Sequence, residues 1–330
     1  MSTHTETIDV EQAYQTLFEQ NTAVRPTQIM ADPYLSETFD ANVLLVSELN
    51  QRTGAYKFRG SFNWFSYHES SDLDEVIAFS AGNHAAAVAD CAQYFGVKAR
   101  LFMPEGTPRF KVDLVRKLGG KCVDIVLAGQ TVDEAAEKGR AYLDEMDLWD
   151  SFVHPFDDPL VVSGQGTIGK ELDQRVSDLD VVVAPVGGGG LLSGIIHATK
   201  HRQALQYVAA EPAGAASLDH ALKGSKSPLN TIETFVDGAA VRQVGGIVLR
   251  SLEEVHDRYM VVHPDNQTLR RHVTRMWQNG ERFRPELAGA LSIAALEKIR
   301  PLIKDKTVAC IVSGGNLSPE RFEEEVKIVE

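Results

Sequence analysis

The chain is poor in cysteine, in clustered basic residues and in long uninterrupted hydrophobic runs, and each shortage excludes a class of protein. Only Cys91, Cys122 and Cys310 occur among 330 residues, widely spaced and without a Cys-x-x-Cys pair. We therefore expect neither a disulfide framework nor a zinc site, and a reducing cytoplasm fits. The 33 Lys and Arg are outnumbered by 46 Asp and Glu, which gives a formal charge of −13. No basic block is present to bind a phosphate backbone, so we expect no nucleic-acid partner.

Hydrophobic segments long enough to enter a membrane are also missing. The most apolar segment, 179–196, is interrupted by an aspartate, a proline and a run of glycines, which a lipid-spanning helix does not tolerate. Residues 1–10 are polar and acidic and lack the basic and apolar regions of a signal peptide. We expect neither export nor membrane insertion, and a cytoplasmic location.

Short β-branched segments alternate with helical patterns along the chain. Strands that alternate with helices predict βαβ units in a parallel sheet that is covered on both faces, so the predicted class is α/β. The predicted strands are 42–46, 75–79, 99–103, 121–126, 181–186, 207–210 and 307–312. Helices are predicted at 85–95, at 191–200 and from Thr107-Pro108 to Gly119-Gly120.

The same alternation predicts two domains. Residues 67–153 form an inserted small domain, and the turn-rich segment 154–159 leads back to the other one. Segments 1–66 and 154–330 together form a discontinuous large domain.

Lys57 stands in an aromatic frame, Ala-Tyr-Lys-Phe, within residues 53–60. If Tyr56 and Phe58 desolvate its ammonium group, the pKa falls towards the neutral amine, which is a Schiff-base nucleophile. The alternative is a solvated surface lysine whose stem passes two rings.

Four glycines, Gly187, Gly188, Gly189 and Gly190, follow an apolar strand and precede an apolar helix. Glycine costs about 1 kcal/mol relative to alanine inside a helix, so the four are predicted to form a loop. Backbone N–H groups at the start of the next helix make an anion site that suits a phosphate. The spacing matches neither an NTPase P-loop nor the dinucleotide fingerprint. A merely flexible turn is the alternative.

Two further loops follow predicted strands. One is Ser80-Ala81-Gly82-Asn83-His84, which can offer a hydroxyl, an amide and backbone N–H groups to a carboxylate or a phenolate. The other begins with Ser313, at the carboxyl end of a strand, where open parallel sheets bind ligands. Simple helix caps and turn residues are the alternatives. An amine, a phosphate loop, an amide and a terminal hydroxyl together meet the needs of pyridoxal phosphate.

With the segments 154–167, 211–216 and 235–240, these motifs together resemble threonine dehydratase, in the family's order from about residue 20 to 317. The resemblance implies the fold-type-II pyridoxal phosphate architecture of the tryptophan synthase β-like group. Two open parallel-sheet α/β domains would hold the cofactor between them. The implied activity is α,β-elimination, which converts L-threonine, and L-serine as well, to a 2-oxo acid and ammonia.

The resemblance also implies a role for each site residue. Lys57 would form the Schiff base with the cofactor and act as the catalytic base, and Gly187 to Gly190 would bind the phosphate. Asn83 would contact the ring hydroxyl, Ser313 the ring nitrogen, and Glu286 would lie near the cofactor. The loop of Ser80, Ala81, Gly82, Asn83 and His84 would bind the substrate carboxylate.

Departures from the family pattern leave some points open. Ala55-Tyr56 replaces the familiar Ser-Phe before the lysine, so the preferred 3-hydroxy amino acid is not determined. Serine racemases, which are similar to this family, carry a second serine at the position of Ala81, so we expect little racemisation here. They also bind a divalent cation through a glutamate at the position of Glu211 and an aspartate where this chain has Ser217, so no metal is predicted.

The relation to regulated enzymes and to other functions is likewise an expectation. Biosynthetic threonine dehydratases continue into an isoleucine-sensing domain, and the short segment after residue 316 predicts an enzyme without that feedback. The alternatives are a dehydratase of another 3-hydroxy amino acid, a racemase-like enzyme, a synthase of the same fold and a non-catalytic binding protein. The family suggests a homo-oligomer, either a dimer or a tetramer.

Overall fold

The computed structural model describes residues 7–69, 73–279 and 283–327, so the predicted domain limits at residues 1 and 330 lie outside it. The strands in these ranges are β1 Gln28–Ala31, β2 Asn42–Ser47, β3 Glu75–Phe79, β4 Lys98–Met103, β5 Val123–Leu127, β6 Leu179–Pro185, β7 Gln206–Ala210, β8 Tyr259–Val262 and β9 Thr307–Val312.

The strands form two separate sheets. The larger has six strands in the order β1-β2-β9-β6-β7-β8, and the smaller has three in the order β3-β4-β5. All neighbours pair in parallel except β1, which pairs antiparallel with β2. Every residue of β9, at the centre of the larger sheet, is buried, as expected for a strand covered on both faces.

Helices follow most strands and cover the sheets. They are α1 Val10–Tyr14, α2 Pro33–Phe39, α3 Lys57–Tyr67, α4 Asn83–Phe95, α5 Arg109–Gly119, α6 Val132–Met146, α7 Pro159–Arg175, α8 Gly190–Thr199, α9 Ser217–Leu222, α10 Gly246–Glu253, α11 Asn266–Asn279, α12 Leu291–Ala294, α13 Leu296–Ile303 and α14 Pro319–Arg321. No helix in the described ranges is both long and apolar enough to cross a membrane.

The strands of segment 67–153 form the three-stranded sheet, and those of the flanking segments form the six-stranded sheet. Helix α3 joins the two parts, because Phe58, Phe62 and Trp64 share one hydrophobic cluster with side chains of β3 and β4. The helix that begins with Lys57 is thus packed into the core of the smaller part.

The predicted α/β class is confirmed, and several boundaries differ. Lys121 and Cys122, predicted as the start of a strand, form a 3₁₀ turn, and β1 and β8 were not predicted. Pro108 is the N-cap of α5 rather than its first residue. Gly190, predicted as a loop residue, is the first residue of α8.

Candidate active site

A cavity of about 250 Å³ lies where β3, β6 and β9 end. Most of the predicted site residues line it, although they come from both sheets and from distant parts of the chain. They are Lys57, Ser80, Ala81, Gly82, Asn83, His84, Gly187, Gly188, Glu286 and Ser313. Gly189 and Gly190 belong to the same turn but do not line the cavity.

Lys57 is the first residue of α3, and its amine is largely withdrawn from water. The Nζ atom donates a hydrogen bond to the Pro155 carbonyl oxygen at 2.5 Å and lies 5.2 Å from the centre of the Tyr56 ring. Desolvation lowers the pKa of Lys57 from 10.5 to about 7. At neutral pH a large fraction of the side chain is therefore the neutral, nucleophilic amine.

Arg59 anchors the helix that carries this amine. Its guanidinium group is fully buried and binds both oxygens of Glu48, at 2.6 and 2.9 Å, and Glu171 at 2.8 Å. Glu48 follows β2 and Glu171 belongs to α7. The ion pairs therefore fix the start of α3 against the larger sheet.

The glycine turn has the geometry of an anion site. Gly189 has a φ of 92°, which favours glycine, and no side chain caps α8. Among the described residues, the N–H groups of Gly187, Gly188 and Gly189 have no hydrogen-bond acceptor. Unpartnered donors at the start of a helix can bind a phosphate. A Cβ on Gly188 would lie 2.1 Å from Cγ of Phe156, so packing also requires glycine there.

The loop from Ser80 to His84 leads into α4, whose N-terminus is likewise uncapped by a side chain. The Ser80 Oγ accepts a hydrogen bond from the Gly82 N–H at 3.3 Å. His84 donates from Nε2 to the Val153 carbonyl oxygen at 2.8 Å. Burial lowers the pKa of His84 to about 3, so this histidine is neutral. The loop thus presents backbone N–H groups and no fixed charge.

Asn83 connects the small sheet to the large one. Its Nδ2 donates to Glu286 at 2.6 Å, and its Oδ1 accepts from Asn316 at 2.7 Å. Burial, and next the charge of Asp237, raise the pKa of Glu286 to about 7. One N–H of Asn83 remains for another acceptor, since an amide nitrogen has two.

An ion cluster lies at the rim of the cavity. Lys111 of α5 pairs with Asp237, and Arg321 binds the same carboxylate at 2.9 Å. Burial alone would raise the pKa of Asp237, but the two cations hold it below its ordinary value. Lys111 and Asp237 thus join the two parts of the molecule across the cavity.

These residues fit the cofactor that the resemblance implies. The neutral amine of Lys57 suits an aldehyde, and the unpartnered N–H groups of the glycine turn suit a phosphate. The Ser313 hydroxyl and the free N–H of Asn83 face the same cavity as possible partners for the ring. The requirements of pyridoxal phosphate are thus met within one space.

Sequence reasoning gave no role to Asn316, Lys111 or Asp237. Asn316 stands in the Ser-Gly-Gly-Asn motif, so the motif itself could have indicated it. Lys111 and Asp237 are 126 positions apart and carry no local signal of their pairing.

Several known proteins are similar to the chain over most of its length. The biosynthetic L-threonine dehydratase of Bacillus subtilis is 37% identical over 305 residues, which cover 90% of this chain and 70% of that protein. The same enzyme of Staphylococcus saprophyticus is 35% identical over 324 residues, covering 96% and 75%.

Solved structures agree with these relatives. The processed form of threonine deaminase isoform 2 from Solanum lycopersicum is 32% identical with a TM-score of 0.83, covering 96% of this chain and 88% of that one. Maize serine racemase is 25% identical with a TM-score of 0.83, covering 96% of each chain. The predicted fold-type-II architecture is thereby confirmed. The family model described as pyridoxal-phosphate dependent enzyme matches residues 21–314, and the chain belongs to that family.

Proposed function

We propose that the chain is a threonine dehydratase, which converts L-threonine to 2-oxobutanoate and ammonia and L-serine to pyruvate and ammonia. The observation that carries the proposal is the position of Lys57. Its amine, with a pKa near 7, lines the same cavity as the uncapped glycine turn and the loop from Ser80 to His84. The similar threonine dehydratases and deaminases support the same reaction.

When bound, pyridoxal phosphate supplies an aldehyde for amines and a conjugated ring that delocalises negative charge from Cα. Lys57 would bind its aldehyde carbon, and the N–H groups from Gly187 to Gly190 would hold its phosphate. Asn83 offers its free N–H to the ring hydroxyl. Ser313 offers a neutral hydroxyl to the ring nitrogen, and Glu286 lies beside Asn83.

The chain's own residues then bind the substrate and move one proton. The substrate carboxylate is held by N–H groups of the loop from Ser80 to His84, because the α4 N-terminus favours an anion. Lys57 Nζ, once free of the cofactor, takes the Cα proton, since an amine with a pKa near 7 is an effective base at neutral pH.

Two residues favour elimination over racemisation. Ala81 lines the cavity with a methyl group and has no proton for the other face of Cα. The neutral hydroxyl of Ser313 does not stabilise a protonated ring nitrogen as a carboxylate does, so negative charge is held only briefly. Loss of the 3-hydroxyl group is then the favoured outcome.

The proposal includes the domain organisation, the location and the oligomeric state of the enzyme. The two separate sheets support a division into a large domain, 1–66 with 154–330, and a small domain, 67–153. We infer a cytoplasmic homo-oligomer, a dimer or a tetramer.

The experiment that tests the proposed function incubates the purified holoenzyme with L-threonine and measures 2-oxobutanoate and ammonia. Equimolar formation of the two, lost in Lys57→Ala, is expected, whereas an unchanged Lys57→Ala rate would refute the proposal.

A further inference from the structure

Tyr56 is a half-buried phenol at the active-site cavity whose hydroxyl group has no partner among the described residues. The residue lines the cavity, and in the ranges that the structure describes its hydroxyl forms no hydrogen bond. By comparison, the hydroxyl of Tyr142, which is also half-buried, donates a hydrogen bond to Glu75 at 2.9 Å. A tyrosine whose ring packs on apolar side chains usually has a partner for its hydroxyl, so a ligand atom in the cavity is the natural candidate.

The ring of Tyr56 is held in place. Its backbone N–H donates to the Ser313 carbonyl oxygen at 2.9 Å, and its own carbonyl oxygen accepts from the Arg59 N–H at 3.0 Å. The side chain packs against the cluster formed by residues of β6, β7 and α8. The ring therefore has a fixed position close to Lys57, whose Nζ is 5.2 Å from the ring centre.

The hydroxyl is a donor at any working pH. Burial, and next the negative charge of Glu286, raise the pKa of Tyr56 well above its ordinary value. The phenol therefore keeps its proton and can donate one hydrogen bond to an oxygen in the cavity.

The polar groups of the substrate can be assigned one by one. In the proposed function, the amino group goes to the cofactor and the carboxylate to the loop from Ser80 to His84. The 3-hydroxyl group is left without a partner. Among the polar side chains of the cavity, Asn83 is bound to Glu286 and Asn316, and Lys111 is bound to Asp237. Tyr56 has no such commitment.

We propose that the Tyr56 hydroxyl donates a hydrogen bond to the 3-hydroxyl oxygen of the substrate and thereby selects 3-hydroxy amino acids. This inference rests on the proposed function. The hydrogen bond orients the C–O bond beside Lys57, and the phenol keeps its proton throughout. The chain's departure from the familiar Ser-Phe before the lysine thus becomes a specificity-determining feature.

The test removes one oxygen atom and varies the leaving group. Tyr56→Phe removes the hydroxyl group and keeps the ring. In 3-chloro-L-alanine the leaving group is a carbon-bound chlorine atom, which accepts hydrogen bonds poorly. We expect Tyr56→Phe to lower kcat/KM for L-threonine by about 10-fold to 100-fold, or about 1.4 to 2.8 kcal/mol, because the substrate hydroxyl is left without a partner. The value for 3-chloro-L-alanine should change by less than about 3-fold. Tyr207→Phe is the matched control, because it removes a buried hydroxyl outside the cavity, and it should leave both substrates unaffected.

A binding measurement gives a second readout that does not depend on turnover. In the Lys57→Ala protein with cofactor, calorimetry compares L-threonine with L-2-aminobutyrate, which lacks the hydroxyl group. L-Threonine should bind about 10-fold more tightly, and Tyr56→Phe in this background should bring the ratio near one.

The outcomes separate the two claims. Equal losses for L-threonine and 3-chloro-L-alanine, or an unchanged Tyr56→Phe enzyme, would overturn the role of Tyr56 and leave the proposed function standing. A wild-type holoenzyme that releases no 2-oxo acid from either substrate would overturn both.

Discussion

Replacing Lys57 by methionine should abolish activity and at the same time stabilise the cofactor-free protein. In that form the amine is buried, and its pKa falls from 10.5 to about 7. At about 1.4 kcal/mol per pKa unit, this fall corresponds to about 5 kcal/mol if the amine is wholly cut off from water. Contact of the amine with water in the cavity reduces this desolvation free energy. The substitution also removes the hydrogen bond to the Pro155 carbonyl oxygen, which lowers the expected gain in stability by about 1 kcal/mol. We expect Lys57→Met to raise the free energy of unfolding by about 2 kcal/mol at pH 7.

The gain should depend on pH in a defined direction. Between pH 7 and 10.5 the unfolded chain binds a proton that the folded amine does not, so wild-type stability rises with pH in this window. The advantage of Lys57→Met is therefore full below pH 7 and disappears above pH 10.5. Urea unfolding of the cofactor-free proteins from pH 6 to 10.5 measures it, with the exposed Lys138→Met as the control. A Lys57→Met protein that is no more stable than wild type at pH 7, or a gain independent of pH, would refute the reasoning.

Further predictions concern the anchor, the glycine turn and the stereochemical outcome. Arg59→Met leaves two buried carboxylates without their cation, so unfolding experiments should reveal a loss of about 3 to 5 kcal/mol. Arg109→Met, at an exposed pair with Asp113, should lose less than about 1 kcal/mol. Gly188→Ala places a Cβ against the half-buried ring of Phe156 and should weaken cofactor binding, measured by absorbance titration, by at least about 10-fold. The control is Gly106→Ala, where the Cβ meets open space and cofactor binding should be normal. Equal cofactor affinities of the Gly188→Ala and Gly106→Ala proteins would contradict the account. Because Ala81 has no proton to give, chiral chromatography should detect D-serine from L-serine at less than about a tenth of the rate of pyruvate formation, and comparable rates would contradict its role.

The central parallel strands could be predicted from sequence because they are buried on both faces. Continuous β-branched runs such as 307–312 leave little doubt about their state. The edge strands Gln28–Ala31 and Tyr259–Val262 were missed, since each has only four residues and is partly exposed. So short a segment carries neither a clear alternation nor a strong propensity. Gly190 was assigned to a loop because glycine disfavours helices, but the first turn of a helix tolerates it.

The site was predictable where a motif follows a strand. Lys57, the loop of 80–84, the glycine turn and Ser313 each stand in a local pattern, and the carboxyl ends of parallel strands bring such patterns together. The bond from Asn83 to Glu286 joins residues 203 positions apart and depends on how the two sheets approach each other. Nothing in the local sequence encodes that approach, so such pairs appear only in the folded structure.

The account is tested most directly by locating the lysine that binds the cofactor. The holoenzyme is reduced with borohydride, which fixes the carbon–nitrogen bond, and its peptides are then analysed by mass spectrometry. The account predicts the reduced pyridoxyl group on Lys57 and none in Lys57→Ala protein treated in the same way. Stoichiometric attachment to another lysine, or to none while the enzyme turns over L-threonine, would contradict it.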